Sequence, residues 1–400
     1  MDGKKRILLF TSSFPSSRNP VSGIFVEDLA KVLVAHFEVV VLAPALPEVE
    51  RCEYRDGMKI LRFRQGIGSL CLAGTPGGIL PAIKRNRWLL LWLPFFLLLE
   101  FFALMRTVRQ EKIELIHAHW LLPQGLLAAI YKTLFNPQIR VLVTCHGSDL
   151  LKVGGGIAGG LKRFALQHIN GLTVVSELLR EKAEEAGFHG KCRILPMGVD
   201  TTTFAPGCVK PDIRKRYGIA GRMILFAGSL IELKGVRSLV RAMPILLKRV
   251  PDVTLLLAGG GELEPELRRL AAELGVAKRV VLAGPVPHKE LPAYFVQSDL
   301  FVLPSFSEGC SLVVMEALSC ETCVAASCLP VFADHPELSR ILRLFQPGEP
   351  NDIAAALGDV LLDSGMSSRR KAGRKYVISK FDLHFVGKCY AEEMNRILEL

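Results

Sequence analysis

The sequence predicts an α/β protein with two domains, each built around a parallel β-sheet. A chain of 400 residues is too long for one ordinary core and suggests two domains of roughly 150–200 residues each. Short apolar runs alternate with amphipathic segments, as is typical of strands and helices in parallel α/β units. This plan occurs twice, before and after a segment at 200–211 that contains Gly207, Pro206 and Pro211.

Composition narrows the class of protein. Half of the residues are apolar and 22% are charged, which is typical of a globular chain. The net charge of +11 would suit anionic lipid, nucleotide phosphates or nucleic acid. Because no zinc-finger spacing or aromatic RNA-binding signature accompanies it, nucleic acid is the least favoured partner. The first residues lack the pattern of a signal peptide, and the cysteines are scattered, so we expect reduced thiols in the cytoplasm.

The first half begins with a strand, a turn-rich loop, Gly23 and a helix, which is the opening unit of a doubly wound sheet. Gly23 would allow a phosphate to approach the backbone closely, or it is a plain turn glycine; the sequence leaves both open. Residues 44–87 give no clear pattern. The apolar runs predict strands at 7–10, 39–43, 115–118, 141–145, 172–175 and 193–195.

Histidines follow two of these strands. His146 comes directly after a buried strand and before Gly147, which places it at the edge of the sheet where ligands bind. His117 and His119 lie at the end of the preceding predicted strand and are more typical of structural histidines. We therefore predict that His146 is the functional one.

Residues 84–109 contain a long apolar stretch. From Trp88 to Met105 only Pro94 and Glu100 interrupt it, with basic residues on both sides. Its length would permit a membrane span, but Glu100, the proline and the strands on either side argue against one. An interfacial segment with aromatic and basic anchors fits better. A helix buried in the domain core is the remaining alternative.

The second half repeats the plan, with strands predicted at 223–227, 253–258, 280–283, 300–303 and 322–326. Gly228, Ser229 and Lys234 follow the first of them. Small residues let the backbone approach an anion and Lys234 supplies a countercharge, although Lys234 could instead cap a helix. The spacing differs from that of a P-loop.

Glu308 and Glu316 flank the start of a helix predicted from about Ser311. At about 100° per residue they lie roughly 80° apart around the axis and can face one site. The helix N-terminus is a natural seat for a phosphate. Spacing alone is equally consistent with an ordinary capped helix. The nearby cluster of Cys320, Cys323 and Cys328 is better explained by core packing than by metal binding.

Taken together, these motifs resemble glycosyltransferase family 4, the retaining transferases of the GT-B fold. The resemblance covers nearly the whole chain. It is carried by segments 14–25, 117–120, 146–149, 196–200 and 228–235, and by the E-x7-E of Glu308 and Glu316. In this order and spacing the motifs are specific to the family.

The resemblance implies two Rossmann-like domains facing a central cleft, at 1–200 and 201–379. A helix at 380–400 would cross back to the first domain. The first domain would bind the acceptor, with a membrane-interface segment at 84–109. The second would bind a UDP- or GDP-linked sugar.

The resemblance also implies the role of each motif residue. Glu316 would bind the donor ribose, Glu308 the donor sugar and Lys234 the diphosphate. His146 would orient the sugar, and Gly23 would line the phosphate region of the first domain. The remaining donor-binding positions are the two small residues before Lys234 and the turn into the helix, namely Gly228, Ser229, Gly309, Cys310, Ser311 and Leu312.

Two departures from the family pattern bear on the site. The family often has Arg where this chain has Ser229, so Lys234 lacks that partner, and Cys320 replaces a common glycine. No Asp-x-Asp motif occurs in a suitable loop, so we expect a metal-independent reaction without a cofactor.

The resulting expectation is transfer of a hexose to a lipid-linked or polysaccharide acceptor in cell-envelope glycan synthesis. The protein would be cytoplasmic and peripheral on the inner face of the membrane. Two alternatives stay open: a sugar-nucleotide epimerase of the same fold, and a non-catalytic relative that binds sugar nucleotides.

Overall fold

The computed structural model describes residues 3–66, 72–73, 79, 82–83, 86–151, 156–207, 210–333, 335–363 and 365–400. The chain forms two compact units. The first contains Met1–Gly198 and Leu383–Leu400, and the second contains Val199–Asp382.

The first unit alternates strands and helices. Its strands are β1 Arg6–Phe10, β2 Glu38–Pro44, β3 Cys52–Arg55, β4 Met58–Phe63, β5 Leu115–His119, β6 Arg140–Cys145, β7 Gly171–Val174 and β8 Cys192–Ile194. Its helices up to residue 198 are α1 Ile24–Leu33, α2 Leu89–Gln110, α3 Leu126–Leu134, α4 Ser148–Leu151, α5 Ile157–Gln167 and α6 Glu177–Glu185, with a helical turn at Leu121–Gly125 before α3. Each strand predicted in this half is present.

The strand order in the first sheet is β3-β4-β2-β1-β5-β6-β7-β8. All neighbouring strands are parallel except β3 and β4, which form an antiparallel hairpin at one edge. Neither strand of this hairpin is among those predicted from the sequence. Every residue of β3 is at least partly exposed, including Tyr54, so β3 lacks an apolar run. In β4 the run is interrupted by Lys59 and Arg62, and this strand was not predicted either.

The last helix of the chain, α16 Leu383–Leu398, belongs to the first unit. The Tyr390 hydroxyl donates a hydrogen bond to the Leu195 carbonyl oxygen at 3.0 Å. A Cβ added at Gly387 would lie 2.3 Å from Cγ1 of Val32 on α1. The close approach of α16 to α1 therefore requires a residue without a side chain at Gly387.

The second unit has a six-stranded parallel sheet in the order β11-β10-β9-β12-β13-β14. Its strands are β9 Met223–Ala227, β10 Thr254–Ala258, β11 Val280–Gly284, β12 Leu300–Leu303, β13 Val324–Ser327 and β14 Arg343–Phe345. Its helices are α7 Ile213–Tyr217, α8 Val236–Leu247, α9 Glu264–Glu273, α10 Leu291–Gln297, α11 Leu312–Ser319, α12 Pro330–Ala333, α13 Pro336–Ile341, α14 Pro350–Leu362 and α15 Met366–Lys380. The five strands predicted here are present, and β14 is an addition.

The cysteine cluster does not form one site. Cys320 and Cys323 are buried in two different apolar clusters of the second unit, and Cys328 is exposed. Their surroundings agree with the packing interpretation. Within the described ranges, no group of three or more His, Cys, Asp or Glu residues is placed to hold a metal ion.

Helix α2 contains most of the long apolar stretch, while Lys84 and Arg85 lie outside the described residues. It is 22 residues long and apolar enough to cross a membrane by length and composition, with a mean hydropathy of 1.9. Only 22% of its most apolar window is buried. A helix that is merely part of the core would be mostly buried. The alternative that this segment is a core helix therefore accounts for the buried face of α2 but not for its exposed face.

Candidate functional site

Two loops of the second unit meet at the carboxyl ends of adjacent strands. Residues 228–235 follow β9 and residues 304–311 follow β12, its parallel neighbour. The Phe306 N–H donates to the Leu233 carbonyl oxygen at 2.9 Å. Gly235 has a φ of +65°, and a Cβ there would lie 1.9 Å from the Pro304 carbonyl oxygen. A glycine is therefore required for the two loops to cross.

This crossing brings together two of the predicted site residues. Lys234 Nζ lies 2.6 Å from Glu308 Oε1 as a hydrogen-bonded ion pair. The side chains are 23% and 10% exposed, so the pair is largely shielded yet reachable from solvent. Because opposite charges neutralise each other here, Lys234 does not present an uncompensated positive charge to a ligand.

Glu316 lies on α11, nearly buried, and has a partner that the sequence analysis missed. His288 Nε2 lies 2.8 Å from Glu316 Oε1, and the His288 ring packs 5.1 Å from that of Phe204. His288 begins a short helical turn after β11. His288 lies beyond the end of a strand, as His146 does, but it follows Gly284 by four residues and does not precede a glycine. The sequence signal for His288 is therefore weaker than that for His146.

Gly228 and Ser229 lie beside the glycine-rich loop that follows β10. The Gly228 N–H donates to the Ala258 carbonyl oxygen at 3.0 Å. A Cβ at Gly259 would lie 1.8 Å from the Gly228 carbonyl oxygen. A Cβ at Gly261 would lie 2.3 Å from the Leu230 carbonyl oxygen, so Gly259 and Gly261 both serve close backbone packing. Ser229 is exposed, at the position where the family often has Arg.

The turn into α11 carries the remaining predicted site residues. Gly309, Cys310 and Leu312 are partly exposed. Ser311 adopts a left-handed conformation with a φ of +50° immediately before α11. Its Oγ is buried and has no hydrogen-bond partner among the described residues. A hydroxyl at a helix N-terminus is placed to bind an anion.

In the first unit, His146 belongs to a cluster of three imidazoles. His119 Nδ1 and His146 Nε2 are 3.1 Å apart, and their rings are nearly parallel. His117 Nε2 hydrogen-bonds to Thr144 Oγ1 at 2.7 Å. Burial lowers the pKa of His146 to about 4 and that of His117 to about 3. At neutral pH these rings are therefore uncharged and act through hydrogen bonds.

The edge around His146 is held by Asp149. Its Oδ1 accepts from the Gly147 N–H and its Oδ2 from the Leu121 N–H, both at 3.0 Å. One carboxylate thereby joins the segments after β5 and β6. The rings of Trp120 and Phe25 each lie 5.0 Å from the His146 ring.

Gly23 is in the same unit, directly before α1. It has a φ of +74°, and a Cβ there would lie 2.1 Å from the Ser13 carbonyl oxygen. The loop before it is held by Arg62, whose buried side chain donates to the Pro15 carbonyl oxygen at 2.7 Å. Tight backbone packing accounts for this glycine, and its role toward a phosphate stays a prediction.

The predicted residues thus form two sets. His146 and Gly23 lie in the first unit, whereas Lys234, Glu308 and Glu316 lie in the second. Within the second unit, ion-pair and hydrogen-bond contacts connect the two glutamates to Lys234 and His288. Such a set can bind hydroxyls through carboxylates and phosphate oxygens through the lysine and the helix N-terminus.

Known structures resemble the whole chain. Sucrose-phosphate synthase from Thermosynechococcus elongatus superposes with a TM-score of 0.80 at 22% identity, covering 99% of this chain and 100% of that one. The Anabaena protein HepE, solved in complex with UDP-glucose, has a TM-score of 0.74 at 17% identity and covers 98% of this chain and 99% of its own. At these identities the likeness establishes the fold.

Proteins of similar sequence give a second comparison. A GDP-mannose-dependent alpha-(1-6)-phosphatidylinositol monomannoside mannosyltransferase of Mycolicibacterium smegmatis is 28% identical over 96% of this chain and 97% of its own. A D-inositol 3-phosphate glycosyltransferase of Corynebacterium jeikeium is 36% identical over 44% of each chain.

Two family models match the two halves of the sequence. The model described as Glycosyltransferase Family 4 matches residues 22–203, and the one described as Glycosyl transferases group 1 matches residues 221–363. The chain has two parallel-sheet α/β domains of the GT-B type. It belongs to glycosyltransferase family 4.

Proposed function

We propose that this glycosyltransferase moves a hexose, with retention of configuration and without a metal ion, from a nucleotide diphosphate sugar to a lipid-linked or glycan acceptor of the cell envelope. The observation that carries the proposal is the convergence of Lys234 and Glu308 at 2.6 Å at the carboxyl edge of the second sheet. The His288–Glu316 pair lies in the same unit.

The donor would be bound by groups with distinct tasks. Glu316, fixed by His288, would accept hydrogen bonds from the ribose hydroxyls. Glu308 would contact the sugar. Lys234 would turn from Glu308 toward the diphosphate, and the N-terminus of α11 with the Ser311 hydroxyl would share its charge. This sharing compensates for the absence of a cation at Ser229.

The reaction would be a front-face displacement. The bond between the anomeric carbon and the diphosphate oxygen breaks while a bond to the acceptor oxygen forms on the same face. The acceptor hydroxyl gives its proton to the departing diphosphate, so no side chain acts as general base. The protein contributes by stabilising negative charge on the diphosphate and positive charge on the sugar.

The donor is tested by thermal shift and turnover with GDP-mannose, UDP-glucose and related nucleotide sugars. GDP-mannose is the first choice because a relative aligned over nearly the whole chain is named for it. The anomeric configuration of the product, read by NMR, tests retention. Turnover of a nucleotide sugar in the absence of any acceptor would instead support an epimerase.

The acceptor side of the proposal depends on α2. Its outward residues Leu91, Phe95 and Phe102 are 66%, 57% and 61% exposed. Trp88, at its start, is 78% exposed. Exposed apolar surface of this extent, flanked by the basic residues of segment 84–109, is typical of contact with a membrane interface. We propose peripheral binding to the inner face of the membrane.

Cosedimentation with vesicles of phosphatidylglycerol and phosphatidylcholine tests this contact. We expect the double variant Leu91→Asp/Phe95→Asp to lose most of its binding. The matched control is Leu362→Asp, since Leu362 is 60% exposed in the second unit. Equal binding by the double variant and the wild type would overturn the membrane proposal.

A further inference from the structure

Glu100 is the one carboxyl residue between Trp88 and Met105. It lies on the inward face of α2, with Phe96 and Leu104, and is fully buried. A carboxylate in such surroundings is costly unless it is paired with a cation or carries a proton.

The neighbour of Glu100 is an amide. Gln124 Nε2 donates to Glu100 Oε1 at 2.8 Å, and both side chains are fully buried. The other oxygen of each group, Glu100 Oε2 and Gln124 Oε1, is buried without a hydrogen-bond partner among the described residues. Two acceptors of the same pair therefore lack a donor, although buried polar atoms are almost always paired.

No cation in the described surroundings compensates for a charge on Glu100. Helix α2 packs against β2, β4 and α3. It also contacts Gln65 after β4 and the turn at Leu121–Gly125, which has no titratable side chain. The charged side chains of β2, β4 and α3 have partners elsewhere, namely Glu38 with Arg6, Lys59 with Glu111, Arg62 with Glu53 and Lys132 with Asn170. The remaining titratable group on these elements, Tyr131, stacks on Phe135. Burial raises the pKa of Glu100 to about 8.

One proton on Glu100 Oε2 would give both unpaired oxygen atoms, Glu100 Oε2 and Gln124 Oε1, a hydrogen-bond partner. We infer that Glu100 is a protonated positioning residue, whose Oε2–H donates to Gln124 Oε1 while its Oε1 accepts from Gln124 Nε2. The two side chains then form a doubly hydrogen-bonded acid–amide pair. Through it, helix α2 fixes the turn at Leu121–Gly125.

That turn supports the edge around His146. The Leu121 N–H donates to Asp149 Oδ2, and the Gly125 N–H donates to the Trp120 carbonyl oxygen at 3.1 Å. The Trp120 ring in turn packs against His146. Glu100 thus connects the helix proposed to contact the membrane with an edge of the first domain, which is the domain that we expect to bind the acceptor. The functional part of this inference rests on the proposed function, whereas the proton on Glu100 does not.

Two substitutions separate the possible states of Glu100. Glu100→Gln keeps the shape and supplies the donor N–H of a protonated acid. Glu100→Leu removes the polar pair and leaves Gln124 without a partner. Glu181→Gln, at an exposed glutamate of α6, is the control for a change of charge alone.

Thermal unfolding of the full chain between about pH 5 and 9 tests the proton without any activity assay. We expect Glu100→Gln to melt above the wild type by a margin that grows as the pH rises, while the control shows no such trend. A constant or negative margin would mean that Glu100 is ionised, which overturns the inference.

Transfer to the acceptor tests the positioning role. At about pH 7 we expect Glu100→Gln to retain wild-type transfer and Glu100→Leu to lose about tenfold or more, at unchanged donor binding. Wild-type transfer should also fall reversibly above the pH at which Glu100 ionises, and Glu100→Gln should not show that fall. Wild-type transfer by a folded Glu100→Leu would overturn the positioning role. Absence of transfer by the wild type with any donor would count against the proposed function. The melting data would still show whether Glu100 carries a proton.

Discussion

The ion pair between Lys234 and Glu308 allows stability and catalysis to be separated. Lys234→Ala leaves Glu308, which is 10% exposed, without its partner. It also removes the cation that the proposed reaction needs at the diphosphate. The single substitution should therefore affect both properties, for different reasons.

The expected magnitudes follow from the geometry. Removing one partner of a fully buried pair costs about 3–5 kcal/mol, and an exposed pair contributes about 0–1 kcal/mol. Since this pair is intermediate in exposure, we expect Lys234→Ala to lower the free energy of unfolding by about 1–3 kcal/mol. Turnover should fall by about 100-fold or more, the usual effect of losing a group that stabilises developing charge.

The double variant Lys234→Ala/Glu308→Gln distinguishes the two effects. Neutralising Glu308 removes the uncompensated charge, so most of the lost stability should return, while turnover stays low. Urea denaturation and initial rates at saturating donor measure the two quantities. Lys182→Ala, which breaks an exposed pair with Glu185 at 2.7 Å, is the control. Near wild-type turnover by a folded Lys234→Ala protein would refute the role given to Lys234.

Four further predictions concern other parts of the molecule. His288→Ala should raise KM for the donor several-fold with little change in kcat, because His288 contacts Glu316, which is proposed to bind the ribose and not the reacting carbon. Initial rates at varied donor concentration measure this. Glu100→Gln should stabilise the chain by about 3 kcal/mol at pH 7. The reason is that a folded-state pKa of about 8 makes the wild-type protein lose stability as the pH rises from the ordinary carboxyl range toward 8. Urea denaturation should show that the difference between the two proteins vanishes in acid. Gly235→Ala should lower Tm by several degrees, whereas Gly207→Ala, with open space around it, should not. EDTA treatment should leave turnover unchanged, and loss of activity restored by a divalent metal would contradict the metal-independent reaction.

The sequence by itself determined the repeated α/β plan and the positions of most strands. Buried parallel strands are continuous apolar runs, so each is visible in a short window of sequence. The order of the motifs, ending with Glu308 and Glu316, gave the family. Local patterns also placed His146 and Lys234 at the ends of strands, where the sheet topology makes a site.

The tertiary structure decided which side chains meet. His288 and Glu316 are 28 residues apart. They follow β11 and β12, which belong to one sheet whose strand order differs from chain order. The partner of Glu100 was equally hidden, because Gln124 follows a different strand. In the sequence Glu100 was an argument against a membrane span; in the structure it lies on the buried face of α2. Local periodicity specifies an element and its apolar positions, whereas the partner of a buried polar group depends on how distant elements pack.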